Sequence, residues 1–494
     1  MSTSVTTAAF HLPIISLFIL SLQGHSYHDL EVIRAARSGV LRAAEWARSF
    51  NNELHQESPA ADNVSTAVSD CVKLYESAEE RLGSAGDNYV VDPNDAITWL
   101  SAAMSSHRSC VDGLEEKGLP ANPHDLSSRN LTLSLKQALA MYARKRNTKS
   151  TTPVVRKKAG SSSQYWGLME SWNSASSTAD IVVAQDGSGT YNTINQAVDA
   201  LSRMGSNGEK RVVVYVKRGV YNENVEIHRR MKNIMFVGDG MDKTIVTGNR
   251  NIQDGATTIG SATFRVLGDG FWARDMTFEN TAGPHKHQAV ALAIASDHAL
   301  FYRCSMKGYQ DTLMVHSLRQ FYRDCHIYGT IDFIFGDASA VLQNCDIFVT
   351  RPMEHQSNLI TAQGRYDPNE NTGISIINSR VRPTPELDGV KGRVKSYLGR
   401  PWKKYSRTLF IKSDLDGIID PKGWMEWSGN YALSTLYYGE YMNTGAGAST
   451  DRRVNWAGFH VLKAAQEASS FCVKNFIQGD SWIPESGVPF GSEI

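Results

Sequence analysis

The sequence predicts an all-α helical bundle followed by an all-β parallel β-helix. Three observations favour this fold class: apolar residues at helical spacing over 29–142, short strand-like runs from Ile181 onward, and one motif in the second part that recurs 21 positions later. At 494 residues the chain is also longer than one hydrophobic core usually supports, so two domains are expected.

Residues 1–24 are predicted to be a signal peptide. Phe10 to Leu22 is an apolar run that is too short to span a bilayer and is placed like a signal-peptide core. Because no Lys or Arg precedes it, a signal anchor is the alternative. Asn63 and Asn130 begin glycosylation sequons, which agree with export. No other apolar run reaches 18 residues, which excludes a polytopic membrane protein.

Residues 25–142 are predicted to form an antiparallel helical bundle. Apolar side chains recur at helical spacing at Cys71, Leu74, Ala78 and Leu82, and again at Ile97, Leu100, Met104 and Val111. Asp95 is a candidate N-cap. Cys71 and Cys110 could join two of the helices by a disulfide, as expected in an exported chain.

Residues 143–178 read as a linker, because they are first basic and then rich in Ser. Arg144–Arg146 and Arg156–Lys158 are two clusters of three basic residues. Such clusters are often only solvated charge. At a domain boundary of an exported protein, however, they favour recognition by a processing protease.

Residues 179–494 are predicted to coil as a β-helix. Arg303-Cys-x3-Gly-x2-Asp311 and Asp324-Cys-x3-Gly-x2-Asp332 share one pattern, and Phe301, Phe321 and Val341 recur at nearly the same interval. This phase match favours a parallel β-helix over a sandwich. Stacked coils would also align Cys304, Cys325 and Cys345, within reach of a disulfide between two of them.

The same repeat brings Asp311 and Asp332 together, at about the 5 Å spacing of adjacent strands. Two carboxyl groups this close cannot both ionise cheaply, so one can act as an acid while the other acts as a nucleophile. Gln310 and Gln288 are nearby amide donors for an oxyanion. Arg400 could pair with an ionised carboxylate and depress its pKa.

Composition excludes other chemistries. The net charge is zero, which argues against nucleic acid as a ligand. No His, Cys and Asp cluster has metal-ligand spacing, so neither metal nor other cofactor is expected. Trp402 offers a flat apolar face suited to a sugar ring.

The second part of the chain resembles the plant pectin methylesterases over residues 179–494. The resemblance rests on Gly219-Val-Tyr-Asn-Glu223, the Gln288 segment, Gly308-Tyr-Gln-Asp-Thr-Leu313, Ile331-Asp-Phe-Ile-Phe-Gly336, Leu398-Gly-Arg-Pro-Trp402 and Asn475-Phe-Ile-Gln-Gly-Asp-Ser-Trp482. It implies a right-handed parallel β-helix that hydrolyses the methyl esters of cell-wall homogalacturonan, as a secreted monomer.

The resemblance also implies roles for individual residues. Asp332 would be the nucleophile and Asp311 the general acid/base, with Gln288 and Gln310 as oxyanion donors. The substrate contacts would be Thr258, Gln288, Arg400 and Trp402. Cys325 and Cys345 would form a disulfide, leaving the pairing of Cys304 and Cys472 open.

The helical part resembles the inhibitor-like pro-region of the same family, with Cys71 and Cys110 matching one of its disulfides. The first helical hairpin of that pattern and its cysteine pair are missing. Partners implied are methyl-esterified pectin, proteinaceous inhibitors and a processing protease. Two alternatives remain: a pectin glycoside hydrolase on the same scaffold, and an uncleaved inhibitor or binding protein that acts through its helices.

Overall fold

The computed structural model describes residues 13–57, 62–86, 92–119, 125–147, 166–204 and 210–494. The start of the expected signal peptide and the second basic cluster, 156–158, lie outside the described residues. So does the side chain of Asn63, whereas Asn130 is described and exposed.

Four long helices form the first part of the chain. They are α1 (Pro13–Glu57), α2 (Asp62–Gly86), α3 (Pro93–Glu116) and α4 (Asp125–Asn147). Their apolar stripes meet in one core that contains Ile33, Val40, Leu74, Leu100 and Leu135. The structure joins Cys71 of α2 to Cys110 of α3 in a disulfide. Among the helices described, none has both the length and the apolar composition needed to cross a membrane.

The N-cap of helix α3 lies three residues before the expected one, Asp95. The N-cap is Asp92, whose side chain accepts a hydrogen bond from the backbone N of Asn94 at 2.9 Å. Pro93 occupies the first helical position, where its lack of an N–H costs nothing. Asp95 is therefore free to pair with Arg319 of the β-helix, at 2.6 Å.

The remainder of the chain is built mainly from short strands. These are β1 (Ile181–Val183), β2 (Val212–Val216), β3 (Gly219–Asn222), β4 (Val225–Ile227), β5 (Ile234–Val237), β6 (Thr244–Gly248), β7 (Phe264–Val266), β8 (Trp272–Arg274), β9 (Thr277–Asn280), β10 (Leu292–Ile294), β11 (Ala299–Tyr302), β12 (Ser305–Lys307), β13 (Leu313–Val315), β14 (Arg319–Arg323), β15 (His326–Gly329), β16 (Ile334–Gly336), β17 (Ser339–Gln343), β18 (Asp346–Val349), β19 (Asn358–Gln363), β20 (Gly373–Ile377), β21 (Arg380–Pro383), β22 (Ser396–Gly399), β23 (Arg407–Ile411), β24 (Asp414–Leu415), β25 (Tyr437–Tyr441) and β26 (Phe459–Val461). Short helices decorate them: α5 (Leu168–Ser171), α6 (Ile194–Met204), α7 (Pro385–Asp388), α8 (Ala465–Ser469) and α9 (Val473–Ile477).

The strands form three parallel sheets that run along the coil. Sheet A has the order β1-β2-β5-β8-β11-β14-β17-β20-β23-β25-β26, sheet B the order β24-β21-β18-β15-β12-β9-β6-β3, and sheet C the order β22-β19-β16-β13-β10-β7-β4. In the middle of the β-helix, each coil contributes one strand to each sheet. The apolar side chains that point inward fill one continuous core. The expected parallel β-helix is confirmed.

The 21-residue repeat equals one coil at the centre of the helix. Leu292 pairs with Leu313, and Leu313 pairs with Ile334. The interval near Phe321 is one residue out of phase, because Phe321 stacks on Leu300 and Val341 rather than on Phe301.

From β8 to the end of β25, the corner after each sheet A strand turns on one left-handed residue. The corner residues are Asp275, Arg303, Asp324, Asn344, Asn378, Lys412 and Met442, with φ between 47° and 57°. All are non-glycine residues, which adopt this conformation rarely. The corner therefore has the same length in successive coils.

Cys325 and Cys345 are buried thiols in the structure, not the disulfide that the resemblance implied. Each follows a corner residue, and each thiol donates to the carbonyl two residues earlier, at 3.4 Å and 3.6 Å. Ser379 and Ser413 donate from the same position in later coils, to Ile377 and Ile411. Each of these carbonyls also accepts the backbone N–H of the corner residue in the preceding coil, so the thiol or hydroxyl is its second donor. Cys304 and Cys472 are buried thiols as well.

The expected linker is shorter than residues 143–178. Helix α4 continues through Arg144–Arg146, so the first basic cluster lies on a helix. At the other end, Met169 of α5 is fully buried against sheet A, and Arg274 donates to its carbonyl. Residues 168–171 therefore belong to the β-helix domain.

The helical bundle lies against the outer face of sheet C. Side chains of both domains share one apolar cluster, to which the β-helix contributes Ala293, Met314, Phe335 and Ala362. Ion pairs cross the interface at Lys73–Glu226, Asp70–Arg265, Arg81–Asp269, Glu80–Lys232 and Asp95–Arg319. Helices α2 and α3 supply all of these contacts.

Candidate active site

Asp311 and Asp332 lie one above the other at the start of neighbouring strands in sheet C. They precede β13 and β16, and the backbone N of Asp311 donates to the carbonyl of Ile331 at 3.0 Å. Both are buried, and both have left-handed backbones, with φ of 66° and 51°. Such uncommon conformations concentrate at functional sites.

Arg400 binds one of the two carboxylates. It follows β22, and its Nε and Nη2 donate to Asp332 Oδ1 and Oδ2 at 2.9 Å and 2.7 Å. The guanidinium also lies 4.4 Å from the centre of the Trp427 ring. This two-pronged contact fixes the carboxylate and favours its ionised form.

The surroundings separate the pKa values of the two acids. Burial raises the pKa of Asp332, and Arg400 opposes that rise without cancelling it, so the expected net depression is wrong. The pKa of Asp311 is raised well above its usual value by burial, then by the charges of Asp332 and Glu116. Asp311 has no hydrogen bond from Arg400 to offset this rise. The larger rise at Asp311 means that Asp332 ionises before Asp311 as the pH increases.

The acids open into a cavity of about 260 Å³. Gln288 and Gln310 line it, and their segments lie in adjacent coils because Ala289 N donates to the Gln310 carbonyl at 3.2 Å. The apolar part of its lining includes Met314, Phe335, Trp402 and Trp427. The structure thus brings together Asp311, Asp332, Gln288, Gln310, Thr258, Arg400 and Trp402, the complete set of expected catalytic and substrate-binding residues.

Helix α3 closes the open side of this cavity. Ser109, Asp112, Gly113 and Glu116 complete its lining. Glu116 accepts hydrogen bonds from the backbone N and Oγ1 of Thr258, at 2.9 Å and 2.7 Å. An expected substrate contact is therefore occupied by a carboxylate of the same chain.

Sequence reasoning missed Trp427 and Glu116. Trp427 lies in an irregular stretch after β24 and shares no motif with the repeat, and Glu116 is one of two consecutive acids at a helix end. Glu116 differs from an ordinary solvated charge only because the last turn of α3 lies at the cavity of the two acids.

Family models match both parts of the chain. Residues 180–480 match the model described as Pectinesterase, and residues 19–148 match the model described as Plant invertase/pectin methylesterase inhibitor. The order of the two matches agrees with the order of the two domains in the structure.

Individual relatives agree with the family models. A probable pectinesterase/pectinesterase inhibitor 36 of Arabidopsis thaliana is 55% identical, covering 100% of this chain and 99% of its own. Pectinesterase 2 of Citrus sinensis is 50% identical over 87% of this chain and 82% of its own. The solved pectin methylesterase from carrot is 51% identical and superposes with a TM-score of 0.63, over 65% of this chain and all of its own. The chain therefore belongs to the pectinesterase family, as a carboxylic ester hydrolase that carries an inhibitor-like helical domain before its β-helix.

Proposed function

We propose that this pectinesterase removes methyl esters from homogalacturonan through an acyl-enzyme intermediate, a mixed anhydride with Asp332. One observation carries the proposal: a carboxylate paired with Arg400 lies beside a second carboxyl group whose surroundings favour the protonated form. A nucleophile and an acid made from one residue type need this separation of pKa values.

In the first half-reaction, Asp332 attacks the ester carbonyl carbon. The tetrahedral oxygen that results accepts hydrogen bonds from the amides of Gln288 and Gln310. When the C–O bond to the methoxy group breaks, Asp311 gives its proton to that oxygen, and methanol leaves. The galacturonate remains as an acyl group on Asp332.

In the second half-reaction, water attacks the acyl carbon. Asp311, now ionised, takes a proton from this water, and the bond to Asp332 breaks. The product leaves as galacturonic acid, which gives its remaining proton to solvent, and both acids return to their starting protonation states. Arg400 positions Asp332 throughout, and Trp402 would pack against the sugar.

The replacement Asp332→Asn tests this mechanism. It keeps the shape of the side chain and removes the nucleophilic charge, so methanol release from methyl-esterified galacturonan should fall by at least about 10³-fold. The matched control is Asp324→Asn, the same change at another left-handed residue, one that lies on the corner between sheets A and B. It should retain parental activity. Near-parental methanol release by Asp332→Asn would remove the nucleophile assignment.

The glycoside hydrolase alternative is weaker, because two amides beside the acids suit an oxyanion better than a glycosidic oxygen. Viscosity loss without methanol release would restore it.

We also propose that the helical domain keeps the uncleaved enzyme inactive on polymer. Glu116 at Thr258 and Asp112 at Lys403 fill the cleft that an extended polysaccharide would enter, and the family model of this part is named for inhibitors. Both contacts come from α3. This supports the view that the domain works as an inhibitor within its own chain.

Export through residues 1–24 and cleavage between the domains, at 144–146 or 156–158, would then deliver the active enzyme to the cell wall. N-terminal sequencing of the protein recovered from the wall, with methanol release measured on the same sample, tests both steps. Recovery of only uncleaved, fully active protein would contradict the inhibitory role.

A further inference from the structure

A second cavity, of about 230 Å³, lies where the helical domain meets the corner between sheets C and A. The helical domain lines it with Arg81 and Ser84 of α2 and Trp99 of α3. The rest of its lining comes from residues around the starts of sheet A strands and from the end of the chain. None of its lining residues belongs to a strand of sheet C or lines the catalytic cavity. The two cavities are therefore separate.

Arg211, just before β2, is the main buried cation of this cavity. It is 6% exposed, its Nη1 donates to the Gly270 carbonyl at 2.6 Å, and its guanidinium lies 3.3 Å from the centre of the Trp272 ring. Its buried Nε has no hydrogen-bond partner among the described residues, and none of their carboxylates forms an ion pair with it. Burial lowers the pKa of Arg211 to about 9, and the charge of Glu485 opposes that fall. A buried cation of this kind lacks the anion that would offset its loss of water.

The unused edge of Arg211 is the edge that Arg400 uses in the active site. Arg400 donates from Nε and Nη2 to the two oxygens of the Asp332 carboxylate. Within the described part of the chain, Arg211 donates a hydrogen bond from Nη1 alone, so its Nε and Nη2 remain for a ligand. This planar edge matches a carboxylate through two parallel hydrogen bonds.

His298 adds a neutral polar group to the same cavity. Its Nε2 is buried without a hydrogen-bond partner among the described residues, and its ring stacks on Trp482 with 5.0 Å between the ring centres. Burial lowers the pKa of His298, so the ring is neutral and carries one N–H. An acceptor on a ligand could take this hydrogen bond.

The other charges around the cavity leave Arg211 as its available cation. Most of them are already paired within the described residues: Arg81 with Asp269, Lys232 with Glu80, and Asp297 with Arg319. Glu485 also lines the cavity, and its negative charge would weaken the binding of an anion.

The size and walls of the cavity limit what can bind. A volume of about 230 Å³ is below that of sites for drug-sized molecules, so it suits a ligand with one ring. Trp99, Trp272 and Trp482 supply aromatic walls, which favour a ring with an apolar face.

We propose that this cavity binds a small carboxylate that carries one ring, held by Arg211 and His298, and that the ligand bridges the β-helix and the helical domain. Two kinds of compound share this chemistry, a uronic acid monosaccharide and an aromatic acid. The site does not depend on the reaction proposed for Asp311 and Asp332.

The test measures the unfolding temperature of the intact full-length chain while galacturonate or benzoate is added at constant ionic strength. Galactose and benzyl alcohol are the matched ligands without a carboxylate. For a ligand of this size we expect a Kd of about 1 mM, so the unfolding temperature should rise over the millimolar range with at least one acid and with neither neutral compound. A rise with galacturonate alone identifies a uronic acid, and a rise with benzoate alone identifies an aromatic acid.

Variants locate the bound acid. Arg211→Gln should weaken its binding about tenfold, because two charge-assisted hydrogen bonds are lost. Trp99→Ala should weaken it about fivefold, because the wall from the helical domain is removed. The matched control is Arg218→Gln, since the Arg218 side chain is 77% exposed and lies between β2 and β3. This control should bind like the parent.

Glu485→Gln separates a ligand site from a purely structural role of Arg211. It leaves Arg211 and its stacking on Trp272 in place and removes the opposing charge, so binding of the acid should become about threefold tighter. The absence of any rise with either acid would overturn the inference. Parental binding by both Arg211→Gln and Glu485→Gln would also overturn it, because the acid would then bind elsewhere.

Discussion

The salt bridge between Arg81 and Asp269 allows a test of the inhibitory role of the helical domain at a position outside the catalytic cavity. Arg81 Nη1 and Nη2 donate to the two carboxylate oxygens of Asp269 at 2.6 Å and 2.7 Å. The Arg81 side chain is 10% exposed and that of Asp269 is 26% exposed. Neither lines the catalytic cavity. Replacing Arg81 with Met removes the charge while keeping an apolar side chain in place.

The magnitude follows from the burial of the pair. Removing one partner of a fully buried ion pair costs about 3–5 kcal/mol, because the other charge is left unpaired. Asp269 keeps a quarter of its surface in solvent and a hydrogen bond from Asp297 N at 2.9 Å, so docking should weaken by about 2–3 kcal/mol. While the undocked fraction is small, activity is proportional to it. Methanol release should therefore rise about 30- to 150-fold.

The assay is methanol release by intact full-length chain, with gels to confirm that no cleavage has occurred. Asp269→Asn, on the other side of the interface, should raise the rate similarly, and the double variant should give less than the product of the two effects. The matched control is Arg42→Met, because Arg42 is exposed on α1. If Arg81→Met left the rate unchanged, or if Arg42→Met raised it equally, control by docking would be refuted.

Two further predictions concern the acid pair and the disulfide. Arg400 lowers the pKa of both acids, so Arg400→Gln should move both limbs of the pH profile of kcat/KM to higher pH. The acid limb moves because Asp332 then stays protonated to higher pH, and Arg400→Lys should move this limb less. An acid limb that does not move in Arg400→Gln would contradict the pairing of Arg400 with Asp332. The disulfide between Cys71 and Cys110 closes a separation of 39 residues, so replacing both with Ser should lower the free energy of unfolding of the helical domain by about 4 kcal/mol and raise the activity of the uncleaved chain. Cys304→Ser should leave that unfolding transition in place, and equal urea midpoints for the double variant and the parent would contradict the estimate.

The coil and the acid pair could be predicted because their signal is periodic. A repeat of 21 residues places Asp332 over Asp311 whatever the surroundings, since adjacent parallel strands must stack in register. The helical stripes were predictable for the same reason. Where a repeat exists, local sequence determines which residues meet.

Contacts without a period could not be predicted in this way. Asp70 meets Arg265 across 195 positions, and nothing near either residue indicates the other. The net pKa of Asp332 depends on how deeply its loop is buried, which sequence does not measure. The predicted N-cap of α3 was wrong because Pro93 determines the first turn of the helix more strongly than Asp95 further along the chain. The structure has Cys325 and Cys345 as buried thiols, whereas their pairing was implied by the family resemblance; stacking of the coils alone left open which cysteines pair.

The left-handed corner between sheets A and B has a consequence for how this scaffold can be altered. Coil length changes sharply after β17, since Ser339 pairs with Gly373, yet the corner at Asn378 is the same as the one at Asn344. Extra residues are therefore accommodated at the corners that flank sheet C. Arg400 and Trp402 lie at one of these, between β22 of sheet C and β23 of sheet A. Loops grafted there could lengthen or reshape the cleft beside Asp311 and Asp332 without shifting the register of the strands that carry them. Insertions at the corner between sheets A and B would instead disrupt the column of thiol and hydroxyl donors that follows it.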